Sequence, residues 1–394
     1  MSLPNDPTAT IRDLTAAIEA ELIAIRRDIH AHPELAFEEV RTAGVVAREL
    51  ARLGIPHRTG LARTGVVGLI AGGRPGPVLV LRGDMDALPI TEKTGLPWTS
   101  RVDGLMHACG HDIHTTTLLG VAAVLSKLAP QLAGTVKLVF QPAEETIGGM
   151  RAMLDAGLLE NPKVDLALGF HNSPDIPVGR FAYTPGPAMA AADSFEVIVH
   201  GVSGHAAHPH TAIDPVVGAA YIITQLQTVV SREVDPMHPV VVTVGAIHGG
   251  EAVNIIPDSV IFRGTVRSLH APARDIAEAA IHRLCEGALA TLRVRCAVDY
   301  RRGVPALVND GRVLEPTVAA VRHQLGGVID ETGPVMGAED LALLLERVPG
   351  CQLRIGSGAP GRADKLHNSA YAPDEACIGF GVQALSRAAL EILA

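Results

Sequence analysis

Apolar residues recur at helical spacing near the start of the chain and then alternate with short β-rich runs. Residues 13–29 and 42–53 follow the helical period, and Gly54 closes the second helix. The pattern beyond them predicts strands at 65–71, 77–81, 135–140 and 164–170 and helices at 113–128 and 149–156. Such alternation predicts an α/β fold in which helices cover both faces of a sheet.

The pattern changes after Gly186. It predicts a strand at 194–200, a helix at 215–230, strands at 240–247 and 259–268, a helix at 274–292 and a strand at 293–300. This β-α-β-β-α-β order is typical of a ferredoxin-like sandwich. Helical patterns at 315–325 and 376–392 and a strand at 352–355 follow. We therefore predict a large domain, 1–186 and 304–394, interrupted by a small domain at 187–303.

Length, composition and charge narrow the function classes. A chain of 394 residues with 47% hydrophobic and 19% charged residues is globular and long enough for two domains. The net charge of −9 and the lack of a basic run argue against nucleic acid as a partner. The sequence shows neither an apolar stretch long enough for a membrane span nor a secretory signal, and its five cysteines are scattered. We therefore expect a cytoplasmic protein.

Four side chains that can bind a metal fall close together, at His107, Cys109, His111 and His114. They lie just before the predicted helix 113–128, where a thiolate and an imidazole two residues apart can reach one ion together. The helix N-terminus would also favour a thiolate at Cys109. A polar loop that carries histidines by chance explains the same residues about equally well.

Two adjacent carboxylates, Glu144 and Glu145, follow the predicted strand 135–140. Two negative carboxylates repel each other, so holding them close together costs free energy unless a cation or a proton neutralises one of them. One can then bind a metal while its neighbour activates water. Taken alone, the pair is explained better as two exposed glutamates at the beginning of a loop.

Further polar side chains stand at predicted strand ends. Asp84 and Asp86 follow one strand, His171 ends another, and His367 follows the strand 352–355 and a glycine-rich turn. A single histidine of this kind is usually an ordinary polar residue. Ligands of open α/β sheets bind at the carboxyl ends of the strands. The coincidence of metal-capable residues at these ends therefore predicts a metal site, and they are Asp84, Asp86, Glu144, Glu145 and His171.

The small domain carries its own polar groups. His205 lies in a histidine-rich loop, Asn254 lies in a connection between strands, and Arg267 ends a strand. Spacing alone does not indicate a site here. It favours ordinary explanations, in which His205 belongs to a surface loop, Asn254 to a turn, and Arg267 is an exposed arginine.

Taken together, these motifs resemble the aminoacylase, hippurate hydrolase and auxin-conjugate (IAA-amino acid) amidohydrolase family of dinuclear metallopeptidases. The resemblance runs from Arg26 to His367, nearly the whole chain. Its most specific block is Met-His-Ala-Cys-Gly-His-Asp at 106–112. Gln-Pro-Ala-Glu-Glu at 141–145, His-Ala-Ala-x-Pro-His at 205–210 and Met-Gly-Ala-Glu-Asp at 336–340 support it.

The resemblance implies a role for each matched residue. The implied metal ligands are Cys109, His111, Glu145, His171 and His367. Glu144 would be the general base, His205 would stabilise the oxyanion in a neighbouring subunit, and Asp112 would support the ligands. Asn254 and Arg267 would face the substrate.

The resemblance also implies an architecture and a cofactor. A zinc-peptidase-like α/β/α catalytic domain would carry an inserted ferredoxin-like dimerisation domain, in a homodimer or a dimer of dimers. Each subunit would hold two divalent ions, Mn²⁺ or Zn²⁺, with Co²⁺ and Ni²⁺ as alternatives.

The expected activity is hydrolysis of the amide bond of N-acyl amino acids, such as hippurate-like or N-acetyl compounds. One alternative is a dipeptidase, carboxypeptidase or succinyl-amino-acid desuccinylase with the same site. Another is a metal-binding protein without activity, which the presence of Glu144 disfavours. Leu341 stands where an aromatic residue is common in the family, which affects the expected substrate pocket and not the chemistry.

Overall fold

The structure, a computed structural model, describes residues 6–394 and divides the chain into two units. The large unit comprises the chain up to Gly186 with residues 308–333 and 343–394, and the small unit comprises 187–307 and 334–342. The small unit thus ends four residues later than the predicted inserted domain, at 307 and not 303, and gains the segment 334–342. Backbone hydrogen bonds from Val335 N to Ala188 O (3.0 Å) and from Ala190 N to Gly337 O (2.8 Å) attach this segment.

The large unit is built from strands and helices in alternation. Its helices are α1 (Thr8–His30), α2 (Val40–Arg52), α3 (His111–Leu128), α4 (Gly149–Asp155), α7 (Gly311–Leu325) and α9 (Ala376–Ile392). Its strands are β1 (His57–Leu61), β2 (Gly65–Ala71), β3 (Arg74–Asp84), β4 (Ala133–Gln141), β5 (Leu166–Pro177), β6 (Phe181–Tyr183), β15 (Ile329–Glu331) and β16 (Gly350–Gly358). Strands β7 (Gly186–Met189) and β14 (Leu307–Asn309) and helix α8 (Ala342–Leu345) lie where the chain passes from one unit to the other.

The eight strands form one mixed sheet in the order β1-β2-β4-β3-β5-β16-β6-β15. The four central strands β4, β3, β5 and β16 run parallel. The last seven residues of β3 are buried without alternation, which is typical of a strand covered on both faces. The predicted α/β fold class is confirmed. Because the central strands are parallel, their carboxyl ends meet at one edge, where β3 ends at Asp84 and β4 at Gln141.

The small unit has the predicted β-α-β-β-α-β order. Its elements are β8 (Ala191–His200), β9 (Gly204–His205), α5 (Pro215–Thr228), β10 (Val240–His248), β11 (Ile255–Ile256), β12 (Ser259–Ser268), α6 (Ala271–Leu292) and β13 (Arg295–Val304). Four strands form an antiparallel sheet in the order β10-β12-β8-β13, and β9 pairs with β11. Buried and more exposed residues alternate along β12, and both helices pack on the sheet and on each other. The helices therefore cover one face of this sheet.

A buried ion pair joins the sheet of the small unit to α6. The carboxylate of Asp193, on β8, accepts hydrogen bonds from the Arg274 guanidinium, from the Tyr300 hydroxyl (2.7 Å) and from Gly303 N (3.0 Å). Burial raises the pKa of Asp193, but the bonds from Arg274 and Tyr300 outweigh it and hold this pKa below its usual value. The Asp193 carboxylate therefore stabilises the fold at pH values above the ordinary pKa of a carboxyl group. This stabilisation is lost as the pH falls through the lowered pKa of Asp193.

We expect Asp193→Asn to destabilise the small unit by about 3–5 kcal/mol at neutral pH, because it leaves Arg274 buried without its counter-charge. Asp299→Asn, which removes an exposed partner of Arg301, should cost less than about 1 kcal/mol. Hydrogen–deuterium exchange along β8 and α6 measures the difference. Equal protection in the two variants would contradict the role of the pair.

Among residues 6–394, the structure contains no helix with the length and apolarity needed to cross a membrane.

Candidate metal centre

A tight turn brings the Cys109 loop into α3. Gly110 precedes the helix with φ of 91°, a backbone conformation that favours glycine. A Cβ atom at Gly110 would lie 2.3 Å from the Oδ1 atom of Asn172, so the close approach also requires glycine. His111 is the first residue of α3, and both Cys109 and His111 are buried. The turn thus directs a thiol and an imidazole to the end of the sheet.

The structure brings together all five side chains that the sequence predicts as metal ligands. Potential ligand atoms of Cys109, His111 and His171 lie within 4.8 Å of one another, and so do those of Cys109, Glu145 and His367. The backbone N–H of His367 donates to Ala108 O at 2.8 Å, which ties the two loops together. These are two adjacent donor groups that share Cys109.

The donors are oriented as metal ligands are. The Nδ1 atom of His111 donates to Asp86 Oδ1 at 3.1 Å, and that of His171 donates to Asn172 O at 2.7 Å. Histidine ligands of metals usually donate their second ring nitrogen to an oxygen in this way. The buried Nε2 of His111 lies 3.8 Å from Oε1 of Glu145, and that oxygen lies 3.4 Å from Nε2 of His367. These atoms and a shared thiol fit a pair of divalent cations bound by N, O and S donors.

The electrostatics also favour a cation. Burial raises the pKa of the Cys109 thiol well above its usual range and outweighs the lowering by His111. Burial lowers the pKa of His111, but the charge of Asp84 and the hydrogen bond to Asp86 outweigh it and raise this pKa well above its usual value. A hydrogen bond to Glu145 raises the pKa of His367. Since metals bind the deprotonated forms of these groups, a cation would replace their protons.

Asp86 accepts hydrogen bonds from three groups of the metal centre. Besides the His111 ring, its Oδ1 accepts the backbone N–H of Glu144 at 3.0 Å, and its Oδ2 accepts that of Glu145 at 3.0 Å. The adjacent glutamates are thus held by their backbone at the end of β4. The side chain of Glu144 is 7% exposed, and its oxygen lies within 4.8 Å of ligand atoms of His111 and Glu145. This carboxylate stands beside the donor groups without being needed to complete either of them.

The remaining polar residues of the Cys109 segment have structural partners or lie in the core. His114 donates from Nδ1 to Asp84 Oδ1 and accepts the backbone N–H of Asn172 at Nε2 (2.9 Å), so both ring nitrogens are engaged. Burial lowers the pKa of His107 to about 3. Asp112 forms a buried ion pair with Arg26 at 2.8 Å.

The three site residues predicted in the small unit do not lie together. His205, on β9, is exposed and accepts the Ala207 N–H at Nδ1 (3.0 Å). Asn254 lies beside it, because Asn254 O accepts the Ala206 N–H at 3.0 Å. Arg267 pairs with Ala192 and Val241 on the neighbouring strands, eight residues along β12 from Ser259, which pairs with His200. A strand of that length spans about 26 Å, so Arg267 lies toward the opposite end of this sheet from Asn254.

Two buried carboxylates near the centre have roles that the sequence did not reveal. The position of Asp86 at a strand end was visible, but its contacts with two backbone N–H groups were not. Glu39, which precedes α2, accepts a hydrogen bond from Ala143 N at 2.9 Å, 104 residues away along the chain. No spacing rule connects two positions so distant.

Comparison with known proteins agrees with this geometry. The model of peptidase family M20/M25/M40 matches residues 80–391. The chain is 40% identical to an N-acetyl-L-cysteine deacetylase of Bacillus subtilis, over 92% of this chain and 86% of the relative. It is 42% identical to an IAA-amino acid hydrolase of Arabidopsis thaliana, over 84% and 75%, and 38% identical to a thermostable carboxypeptidase of Saccharolobus solfataricus, over 95% of both.

A solved structure shares the whole fold. The dinuclear metal binding peptidase from the M20 family of Bacillus subtilis superposes with a TM-score of 0.86 at 36% identity, over 96% of this chain and 99% of that chain. The predicted resemblance is therefore confirmed, and the chain belongs to peptidase family M20/M25/M40, as a metal-dependent hydrolase of amide bonds.

Proposed function

We propose that the protein hydrolyses N-acyl amino acids to a carboxylic acid and a free amino acid with two divalent cations at the Cys109 centre. The observation that carries the proposal is the pair of donor groups that share Cys109, with Glu144 beside them. Relatives named as an N-acetyl-L-cysteine deacetylase and an IAA-amino acid hydrolase support this substrate class. Five free cysteines agree with the proposed cytoplasmic location.

The proposed mechanism assigns one role to each group. Cys109, His111, Glu145, His171 and His367 would hold Mn²⁺ or Zn²⁺, with Co²⁺ and Ni²⁺ as alternatives. The bound cations would supply Lewis acidity for the carbonyl and lower the pKa of water. Glu144 takes a proton from the attacking water and returns it to the leaving nitrogen as the C–N bond breaks. Asp86 orients His111 and fixes the backbone from which Glu144 projects.

A panel assay tests this function. Purified protein loaded with Mn²⁺ or Zn²⁺ is incubated with N-acetyl and N-benzoyl amino acids, N-succinyl amino acids and dipeptides, and the released amine is quantified. We expect the highest kcat/KM with an N-acetyl or N-benzoyl amino acid and loss of turnover with a chelator. Turnover that prefers dipeptides or succinyl compounds would overturn the substrate class, and full activity after complete metal removal would overturn the chemistry.

The carboxypeptidase relative supports one alternative substrate class. It is 38% identical to this chain over 95% of both lengths, and a peptide bond is itself an amide that the same centre can cleave. Dipeptides and N-acyl amino acids differ by a free amino group, so the panel compares matched pairs that differ in that group alone.

Asp86→Ala should weaken metal affinity by about 10- to 100-fold, because residues that orient metal ligands typically contribute that much. It would remove the acceptor for His111 and for the backbone N–H groups of Glu144 and Glu145. Titration of metal-free protein with Mn²⁺ measures the change. An unchanged affinity would show that Asp86 does not position the ligands.

We further propose that the small unit mediates a homodimer or dimer of dimers, in which His205 serves the partner subunit's active site. The four-stranded sheet has two edge strands, β10 and β13, and pairing of edges across a two-fold axis would cover one of them. His205 is exposed, as a residue that reaches another subunit must be before assembly. Asn254, beside it, and Arg267 are the proposed substrate contacts of this unit.

Mixing two inactive variants tests this arrangement. When His205→Ala and Glu144→Ala subunits exchange, about half of the dimers are hybrids with one repaired site, so about a quarter of native activity should return. A tagged subunit verifies the exchange. Exchange without recovery would show that His205 acts within its own chain or has no role in turnover.

A further inference from the structure

Glu39 is a buried carboxylate outside the donor groups whose contacts converge on one loop. It immediately precedes α2, and its side chain is inaccessible to solvent. Its Oε1 accepts the backbone N–H of Phe37 (3.0 Å) and of Ala143 (2.9 Å), and its Oε2 accepts the Thr64 hydroxyl. A buried carboxylate is costly unless its oxygens are satisfied, and these three bonds satisfy both.

The peptide that Glu39 holds has an unfavourable conformation. Ala143 has φ of 55°, which costs an L-residue about 1–2 kcal/mol. Such a conformation persists where surrounding contacts enforce it. On its other side, Ala143 O accepts Gly149 N at 3.0 Å and the Thr146 hydroxyl at 3.2 Å. The Ala143 N–H belongs to the preceding peptide unit and is held by Glu39, so the peptides on both sides of the Ala143 Cα atom are held.

Ala143 immediately precedes Glu144, so its backbone angles set the direction in which the Glu144 side chain leaves the chain. We propose that Glu39 is a positioning residue for Glu144, which it holds in place through the Ala143 peptide. The proposal rests on the function assigned above to Glu144. Asp86 holds the Glu144 N–H, and Glu39 holds the N–H of the residue before it, so two buried carboxylates fix consecutive peptides.

What this role requires is an acceptor at the right reach and not a negative charge. Burial raises the pKa of Glu39, although the bonds from Thr64 and Ala143 oppose the shift. A glutamine could keep every contact: its carbonyl oxygen accepts the two N–H groups, and its amide donates to the Thr64 hydroxyl, which can also accept. An aspartate keeps the charge but is shorter by one methylene, so its oxygen no longer reaches Ala143.

The test compares Glu39→Gln, Glu39→Asp and the neighbouring exposed control Glu38→Asp in the metal-loaded, full-length protein. We expect Glu39→Asp to lower kcat on the order of 100-fold, because misplacing a catalytic group by about 1 Å has effects of that size. Its KM and metal content should stay native. Glu39→Gln should stay within about threefold of native kcat, and Glu38→Asp should match the native protein.

Three outcomes would overturn the proposal: native kcat in Glu39→Asp, an equal loss in Glu39→Gln, or a loss of kcat accompanied by a loss of metal. The second would mean that the charge is required as well as the reach, and the third that Glu39 supports the metal ligands. Glu144→Gln in the same series separates this proposal from the one it rests on. If Glu144→Gln keeps its turnover, the assignment of the base fails, whereas an inactive Glu144→Gln beside a fully active Glu39→Asp refutes the positioning role alone.

Discussion

Glu144→Gln should retain both metals and lose about three orders of magnitude in kcat, because a positioned general base typically contributes between about 10²- and 10⁴-fold. The amide has nearly the shape of the carboxylate but cannot accept the proton of water. The backbone contact of residue 144 with Asp86 does not involve the side chain and should persist. Elemental analysis and single-turnover kinetics on the same preparation measure the two quantities.

The adjacent carboxylate provides the matched control. Glu145→Gln should lower metal content as well as turnover, since the oxygen of Glu145 belongs to the donor group with Cys109 and His367. The two variants differ by one position and by the same chemical change. Metal loss in Glu144→Gln together with metal retention in Glu145→Gln would mean that the two roles are exchanged.

Cys109→Ala should bind metal at less than about one hundredth of native affinity and have no measurable turnover at micromolar metal. The reason is geometric, because Cys109 belongs to both donor groups and its loss leaves two ligands in each. Cys351→Ala is the control, since Cys351 is a buried thiol of the sheet whose partner is the Thr317 hydroxyl. Metal titration and turnover of the two variants should differ sharply. Native metal content in Cys109→Ala would remove this residue from the ligand set.

The sequence predicted the buried strands and helices better than the exposed strand β1 and the boundary between the two units. The predicted strands 65–71 and 259–268 and the helix 376–392 coincide with β2, β12 and α9, whose apolar patterns are strong. β1 was not predicted, because its five residues have no buried position and hence no apolar period. The segment 334–342 was assigned to the large domain, because its backbone bonds to residues 188–190 leave no trace in the order of residues.

The sequence likewise predicted some residues of the site and not others. The strand-end positions of Glu144, Glu145 and His171 indicated a metal site, because parallel topology brings such ends together, and the family resemblance supplied the full ligand set. The supporting contacts could not be inferred, because Asp86 and Glu39 accept backbone N–H groups, which every residue except proline has. The expectation of a favoured thiolate at Cys109 omitted burial, which raises the pKa of the thiol until a cation is bound.

Anomalous X-ray scattering from crystals grown with Mn²⁺ or Zn²⁺ tests the central claim most directly. Data collected on either side of the absorption edge of the metal locate each cation without reference to activity. We predict two anomalous peaks in each subunit, with the Cys109 sulfur within bonding distance of a cation and the Glu144 carboxylate beside the pair. A single peak, or peaks bound away from Cys109 and Glu145, would contradict the proposed dinuclear centre.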